Sequence, residues 1–294
     1  MGYLSGWMLG VLALNLLIAV GALFGFRALQ GLFAGVNVKE ELAHKDNFAF
    51  GLSVAGGIAA LCLVLSAAVS GEAAVSLVQE AINVLSFAVG GIVLLKLGVI
   101  INDKLFLRGF SLGEQLRAHN LAAGTVNAAS LVAQGLIISA AVHWVEIETW
   151  QGIGAVGLVF LASQVVMFAV VQIRTGVYRR RNGGESWQAA IAGGNTALAV
   201  RYAGQIIATA FAVTAVSNLV NFLPAAIWMS VLAWLVYSLV MVLVIWGLYR
   251  LLRPVILPGV DVHEEVDNQK NIGIAFIEAA TFIGIAVIVK VLMS

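Results

Sequence analysis

The chain is poor in charge: Asp, Glu, Lys and Arg make up only 11% of it, against 61% hydrophobic residues and a mean hydropathy of +1.00. A soluble domain of 294 residues needs a polar face toward water, so this composition excludes one. Cysteine is scarce too. Cys62 is the single copy and lies in an apolar run, which excludes an intrachain disulfide. Catalytic signatures are missing: there is no phosphate-binding Gly-rich loop, no His-Glu-x-x-His, and no Ser or Cys nucleophile with an evident base. An enzyme is not expected, nor a metal site, a cofactor or a nucleic-acid partner.

What the chain has is apolar runs of transmembrane length, about 20 residues each for ~30 Å of hydrocarbon. Spans are predicted near 7–29, 47–70, 79–101, 121–144, 152–176, 194–217, 223–249 and 271–292. The first lacks a basic leader and runs past the length of a signal-peptide core, so a retained helix is expected there. The expected fold is all-α, a polytopic membrane protein of about eight helices arranged as four parallel-related hairpins. Residues 1–145 would carry the first pair of hairpins and 146–294 the second.

All 16 Lys and Arg residues except Arg201 and Lys290 lie in or beside the four longer loops that join the members of each odd–even pair of spans. Short basic loops stay in the cytoplasm. The long loops are therefore expected on the cytoplasmic side, with both termini outside. Glu72, Glu146 and Glu148 fall on the outer side. Arg179, Arg180 and Arg181 form a juxtamembrane basic cluster suited to anionic lipid.

One motif recurs four times at a period of about 75 residues. It reads NVKEELAHKDNFAFG from Asn37, SLGEQLRAHNLAAG from Ser111, SWQAAIAGGNTALA from Ser186 and DVHEEVDNQKNIGIA from Asp261. Each begins with a good N-cap, and Glu40, Glu114 and Glu264 follow three residues later as in a capping box; the third copy has Ala189 there. Apolar pairs behind the caps, such as Leu112 with Leu116 and Val262 with Val266, give each short helix one greasy side, expected on the membrane surface or on the bundle's end. The motif closes on Asn47, Asn120, Asn195 and Asn271, each opening an even span with small residues at helical spacing, among them Ala55, Ala128, Ala203 and Ala279. Small residues let helices approach closely in lipid, so the even spans are expected to form an inner ring.

This fourfold pattern resembles the bacterial "domain of unknown function 350" family, also called YjfL-like. The resemblance spans all four hairpins. It implies an inner-membrane protein without an agreed activity, sometimes encoded near membrane-stress proteins, and a fusion of two half-length members of two hairpins each. Half-length members would have to pair to reach four hairpins, so a homo-oligomer is compatible with the sequence, as are membrane lipid and a cytoplasmic protein partner.

Two charges sit inside predicted spans, where ionisable groups are costly and need a partner or a water path. Arg201 is six residues beyond Asn195 and Glu278 seven beyond Asn271, so both lie roughly 10 Å from the same helix end. An ion pair is expected, either pinning two helices or forming an intramembrane polar centre together with Asn127, Gln205, Ser130 and Gln134. The matching places in the first half include Ser53 and Asn127. Asn15, Asn83 and Gln164 are read as interhelical glue, and His44, His119 and His263 as solvated loop residues. Two functions follow: a small-solute or ion transporter, or a membrane-stress scaffold acting through its cytoplasmic amphipathic segments.

Overall fold

A computed structural model describes residues 6–34, 36–108, 110–145 and 152–293; Glu146 and Glu148 lie outside them. The described residues are helical, and eight helices are long and apolar enough to span a membrane. They are α1 (Gly6–Ala34), α2 (Phe48–Ala68), α3 (Leu77–Ile101), α5 (Leu121–Val145), α6 (Ile153–Arg181), α8 (Thr196–Ala215), α9 (Ile227–Ile256) and α10 (Ile272–Leu292). Two short helices, α4 (Leu112–Arg117) and α7 (Trp187–Ala192), precede α5 and α8. The helices α1, α6 and α9 run several residues past the predicted spans. In α6 and α9 a basic last turn extends the helix beyond the apolar stretch, where long Arg stems can reach toward water; α1 has no basic residue in its last turn.

The four recurring segments fold alike at one end of the bundle, the end that carries most of the basic residues. Asn37, Ser111, Ser186 and Asp261 cap their short helices, accepting from the backbone N–H three residues on at 3.0–3.4 Å. Ten residues separate cap and Asn in the first and last copies (37 to 47, 261 to 271), and nine in the middle two (111 to 120, 186 to 195). The extra residue is absorbed by π-helical turns at Glu40–His44 and Glu264–Asn268, where the middle copies form α4 and α7. Each copy then reverses through a residue of positive φ just before the Asn: Asp46 (48°), His119 (59°), Gly194 (78°) and Lys270 (56°).

The apolar sides of the last three segments are buried on the bundle's end rather than laid on a membrane surface, while Val38 and Leu42 of the first are half-buried. Leu112, Leu116, Trp187, Ile191, Val262 and Val266 are all less than 9% exposed. Glu40, Glu114 and Glu264 point to solvent, and no return bond from them to their caps is present among the described residues. Half of the expected capping box forms.

The expected inner ring is instead an open row. The helix α2 packs along α5, α5 along α8, and α8 along α10, while α1, α3, α6 and α9 form a second row behind them. All four even helices start at the basic end, so each hairpin repeats the orientation of the one before. The small faces explain the close packing. A Cβ on Gly56 would lie 2.6 Å from the Cα of Ala128, and one on Gly204 only 2.3 Å from the Cα of Ala279. The contact pairs a glycine nine residues past its Asn (47 to 56, 195 to 204) with an alanine eight past the next (120 to 128, 271 to 279). Ala55 is therefore exposed and Ala203 half-buried, while their neighbours Gly56 and Gly204 hold the seam.

Candidate functional site

Each repeat Asn caps its own helix, its Oδ1 accepting from Phe50, Ala123, Leu198 or Ile274 N–H at 3.0–3.3 Å. In the first three copies its amide also donates forward, to the short helix of the following hairpin. Asn47 Nδ2 bonds Leu116 O (2.9 Å), Asn120 Nδ2 bonds Ile191 O (2.9 Å) and Asn195 Nδ2 bonds Asp267 O (3.2 Å). The amides of Asn47, Asn120 and Asn271 also bond a side chain of the same copy: Glu41 (2.9 Å), Gln115 (2.7 Å) and Glu265 (2.8 Å) respectively. Lys45 and Asn47 together hold the Glu41 carboxyl below the usual range, because both bond its charged form.

The second half carries the charged centre. Arg201 Nε on α8 lies 2.7 Å from Glu278 Oε2 on α10, and its Nη1 donates to Asp267 Oδ1 at 2.7 Å. The side chains are 13%, 1% and 3% exposed, so this is a buried arginine shared by two buried carboxylates. Tyr249 of α9 donates to Glu278 Oε1 and stacks on Phe282 with centroids 3.6 Å apart. On the other flank Asp267 Oδ2 meets His263 Nδ1 at 2.5 Å and Asn182 Nδ2 at 3.4 Å. Arg174 of α6 lays its guanidinium 4.1 Å from the Trp246 ring centroid. A continuous run of polar groups therefore leads from His263 through Asp267, Arg201 and Glu278 to Tyr249, and all four long helices of the half contribute to it or flank it. Beside it, a cavity of about 60 Å³ is lined by Arg174, Tyr178, Arg201, Tyr202, Gln205 and Asp267.

At the matching place in the first half the clasp is neutral. Asn127 Nδ2 of α5 donates to Ser53 Oγ of α2 at 2.5 Å. These are the repeat counterparts of Glu278 and Arg201, seven and six residues past their Asn. A larger cavity, about 250 Å³, borders the Ser–Asn clasp and reaches Lys96, Asp103 and Lys104.

The polar centre expected from the sequence is thus divided. Arg201 and Glu278 meet and Gln205 lines their cavity, but Asn127 belongs to the Ser53 clasp. Gln134 bonds Gln164 reciprocally (3.0 and 2.8 Å), and Ser130 reaches Asn102 (3.5 Å). Asn15 bridges to Glu80 (2.8 Å), whereas Asn83 accepts from Gln79 of its own helix (2.9 Å) and bonds no other helix among the described residues. His44 and His119 are exposed, but His263 is engaged by Asp267 and is not the solvated loop residue expected. Arg179, Arg180 and Arg181 are exposed in the last turn of α6. No group of three or more His, Cys, Asp or Glu side chains among the described residues has metal-binding geometry.

Asp267, Tyr249 and Arg174 escaped the sequence reading. Asp267 had a signal: four residues before the repeat Asn, the other copies carry Ala43, Leu116 and Ile191, so an acid there breaks an apolar pattern. Tyr249 and Arg174 sit near basic loop ends and read as boundary residues.

Comparison with curated proteins and with solved structures gives no match. The Domain of Unknown Function family DUF350 matches residues 3–142, 76–181 and 148–293, covering the hairpins described above. These matches span nearly the whole chain, fourfold hairpin included, and the chain belongs to the DUF350 family of membrane-like helical proteins.

Proposed function

We propose that the chain moves an ion or a small solute across a bacterial inner membrane, with its basic end in the cytoplasm and the Arg201 network as the charged centre of the path. One observation carries this reading. The first half clasps the corresponding two helices at the same depth with Ser53 and Asn127, so holding such helices together does not require charge. Replacing a neutral clasp by buried ions adds a desolvation cost of several kcal/mol per ion that a structural role does not repay. The charges are retained for what they do with a mobile partner, and the run from His263 to Tyr249 gives a proton or ion successive sites.

The scaffold reading draws less support. It requires the short segments to offer their apolar sides to a partner or to lipid, and Leu116, Ile191 and Val266 spend those sides on the bundle.

The test converts the second clasp into the first. Reconstituted protein with Arg201→Ser, Asp267→Leu and Glu278→Asn is compared with wild type for proton, potassium and chloride flux into liposomes. The variant should fold and lose flux. A folded variant whose fluxes equal those of wild type overturns the proposal.

A further inference from the structure

We infer that a second copy of this chain docks head to tail, seating the α10 end of one row on the α2 end of the next. The observation behind it is that the internal hairpin-to-hairpin contact is left half-made at both ends of the row.

The forward relay of asparagines has three completed steps. The fourth donor, Asn271, bonds Glu265 in its own copy and finds no carbonyl of a following hairpin among the described residues. At the other end, the carbonyls of Leu116, Ile191 and Asp267 each receive an amide, and these residues are buried. Their counterpart Ala43, four residues before Asn47, is exposed and receives none among the described residues. Among the described residues, an amide with no forward carbonyl at one end matches a carbonyl with no incoming amide at the other.

The helix faces repeat the same complementarity. At about 100° per residue, Val126, Ala129 and Ala133 lie on the side of α5 opposite its α2-facing Gly124, Ala128 and Gly135, and so face α8. They are buried (0%, 5% and 0% exposed). The same repeat positions on α10 are Ile277, Ala280 and Gly284, of matching size and open to the outside, with nothing within 4 Å of a Cβ built on Gly284. By the same rotation α8 meets α5 with Ala199, Ile206 and Ala210, all buried. Their counterparts on α2 are Gly51, Ile58 and Cys62, half-buried or exposed. The two end faces of the row are therefore the two halves of the α5–α8 interface, residue by residue, and parallel helices can meet across them as they do within the chain.

Burial of the outer row agrees. The apolar stretches of α3, α6 and α9, each with a hairpin before it, are 33%, 56% and 28% buried, and that of their counterpart α1 only 11%. A preceding copy would cover α1 as α3 and α5 cover α6.

Cys62 supplies a probe, since it stands 15 residues past Asn47 while Gly284 stands 13 past Asn271, within one turn of the same depth. In membranes treated with a mild oxidant, the Gly284→Cys protein should give disulfide-linked dimers on a non-reducing gel. The link should vanish when Cys62→Ser is added. The inference is overturned by no cross-link, by a cross-link that survives Cys62→Ser, or by an equal yield from wild type, because the last two place like faces together. As a second measurement, native mass in detergent should show dimers or larger species for wild type and a shift to monomer for Ala280→Trp. A monomeric wild type also overturns the inference. Neither readout depends on flux, so the outcome is separate from that of the transport proposal.

Discussion

Arg201 of α8 and Glu278 of α10 pair at 2.7 Å at the repeat positions where Ser53 and Asn127 share a neutral hydrogen bond. Two halves of one chain thus solve the same contact in two ways, and the comparison can be made within a single molecule. Glu278→Gln alone leaves Arg201 with half its compensation and should lower stability by on the order of 3 kcal/mol, read as a fall in Tm in detergent. The triple change to the neutral clasp should recover most of that loss. A triple variant less stable than Glu278→Gln would mean the charges are structural after all.

Close helix approach depends on two glycines. Gly204→Ala and Gly56→Ala each place a Cβ under 3 Å from a backbone atom of the neighbouring helix, and should cost about 1–3 kcal/mol through overpacking. The control is Gly247→Ala in α9, where a Cβ meets nothing within 4 Å. It should be neutral or stabilising by roughly 0.5–1 kcal/mol, because alanine loses less backbone entropy. Thermal unfolding followed by tryptophan fluorescence separates the two classes.

The relay can be weighed by removing it at different places. Asn195→Ala removes a helix cap and an inter-hairpin bond, and should cost about 2–3 kcal/mol; Asn271→Ala, in a separated copy, removes the cap without a forward bond and should cost about 1 kcal/mol. Equal losses at the two sites would show that the forward bond adds nothing.

Gly194 has φ +78° where the other copies place Asp46, His119 and Lys270 in the same left-handed region. Gly194→Ala should therefore cost about 1–2 kcal/mol although its Cβ meets no atom, and His119→Gly should gain a similar or smaller amount. A chemical denaturation midpoint that moves the other way in either variant would contradict the backbone argument.

Orientation is checked by reporter fusions. Positions near 42, 114, 187 and 264 should report the cytoplasm, and positions near 72 and 220 the outside, because the basic loops share one side. A single basic loop reporting outside is incompatible with hairpins that all point the same way.

The eight long helices, the caps Asn37, Ser111, Ser186 and Asp261, and the pairing of Arg201 with Glu278 could be read from the sequence, because each rests on a local rule: apolar length, cap chemistry, equal depth along matched helices. The row was not legible. Four copies of one pattern say that neighbours pack alike, but nothing in the repeat of Asn47, Asn120, Asn195 and Asn271 says how far each helix is rotated against the next. That rotation decides whether the set closes, and it also explains why the seam falls on Gly56 and Gly204 rather than one residue earlier. Asp267 was hidden for a different reason. It sits in a segment that reads as solvated, and only the fold turns it inward, between His263 and Arg201.

The asparagine relay also has a direction in time. Hairpins leave the ribosome in order, and each asparagine is completed only by the hairpin synthesised after it. At every stage of insertion the youngest hairpin therefore presents one amide awaiting a carbonyl that does not yet exist, and each arrival both satisfies the waiting group and brings a new one. The order of synthesis thus matches the order of packing along the row, since the forward bond of each of the first three hairpins is closed by the hairpin that follows it.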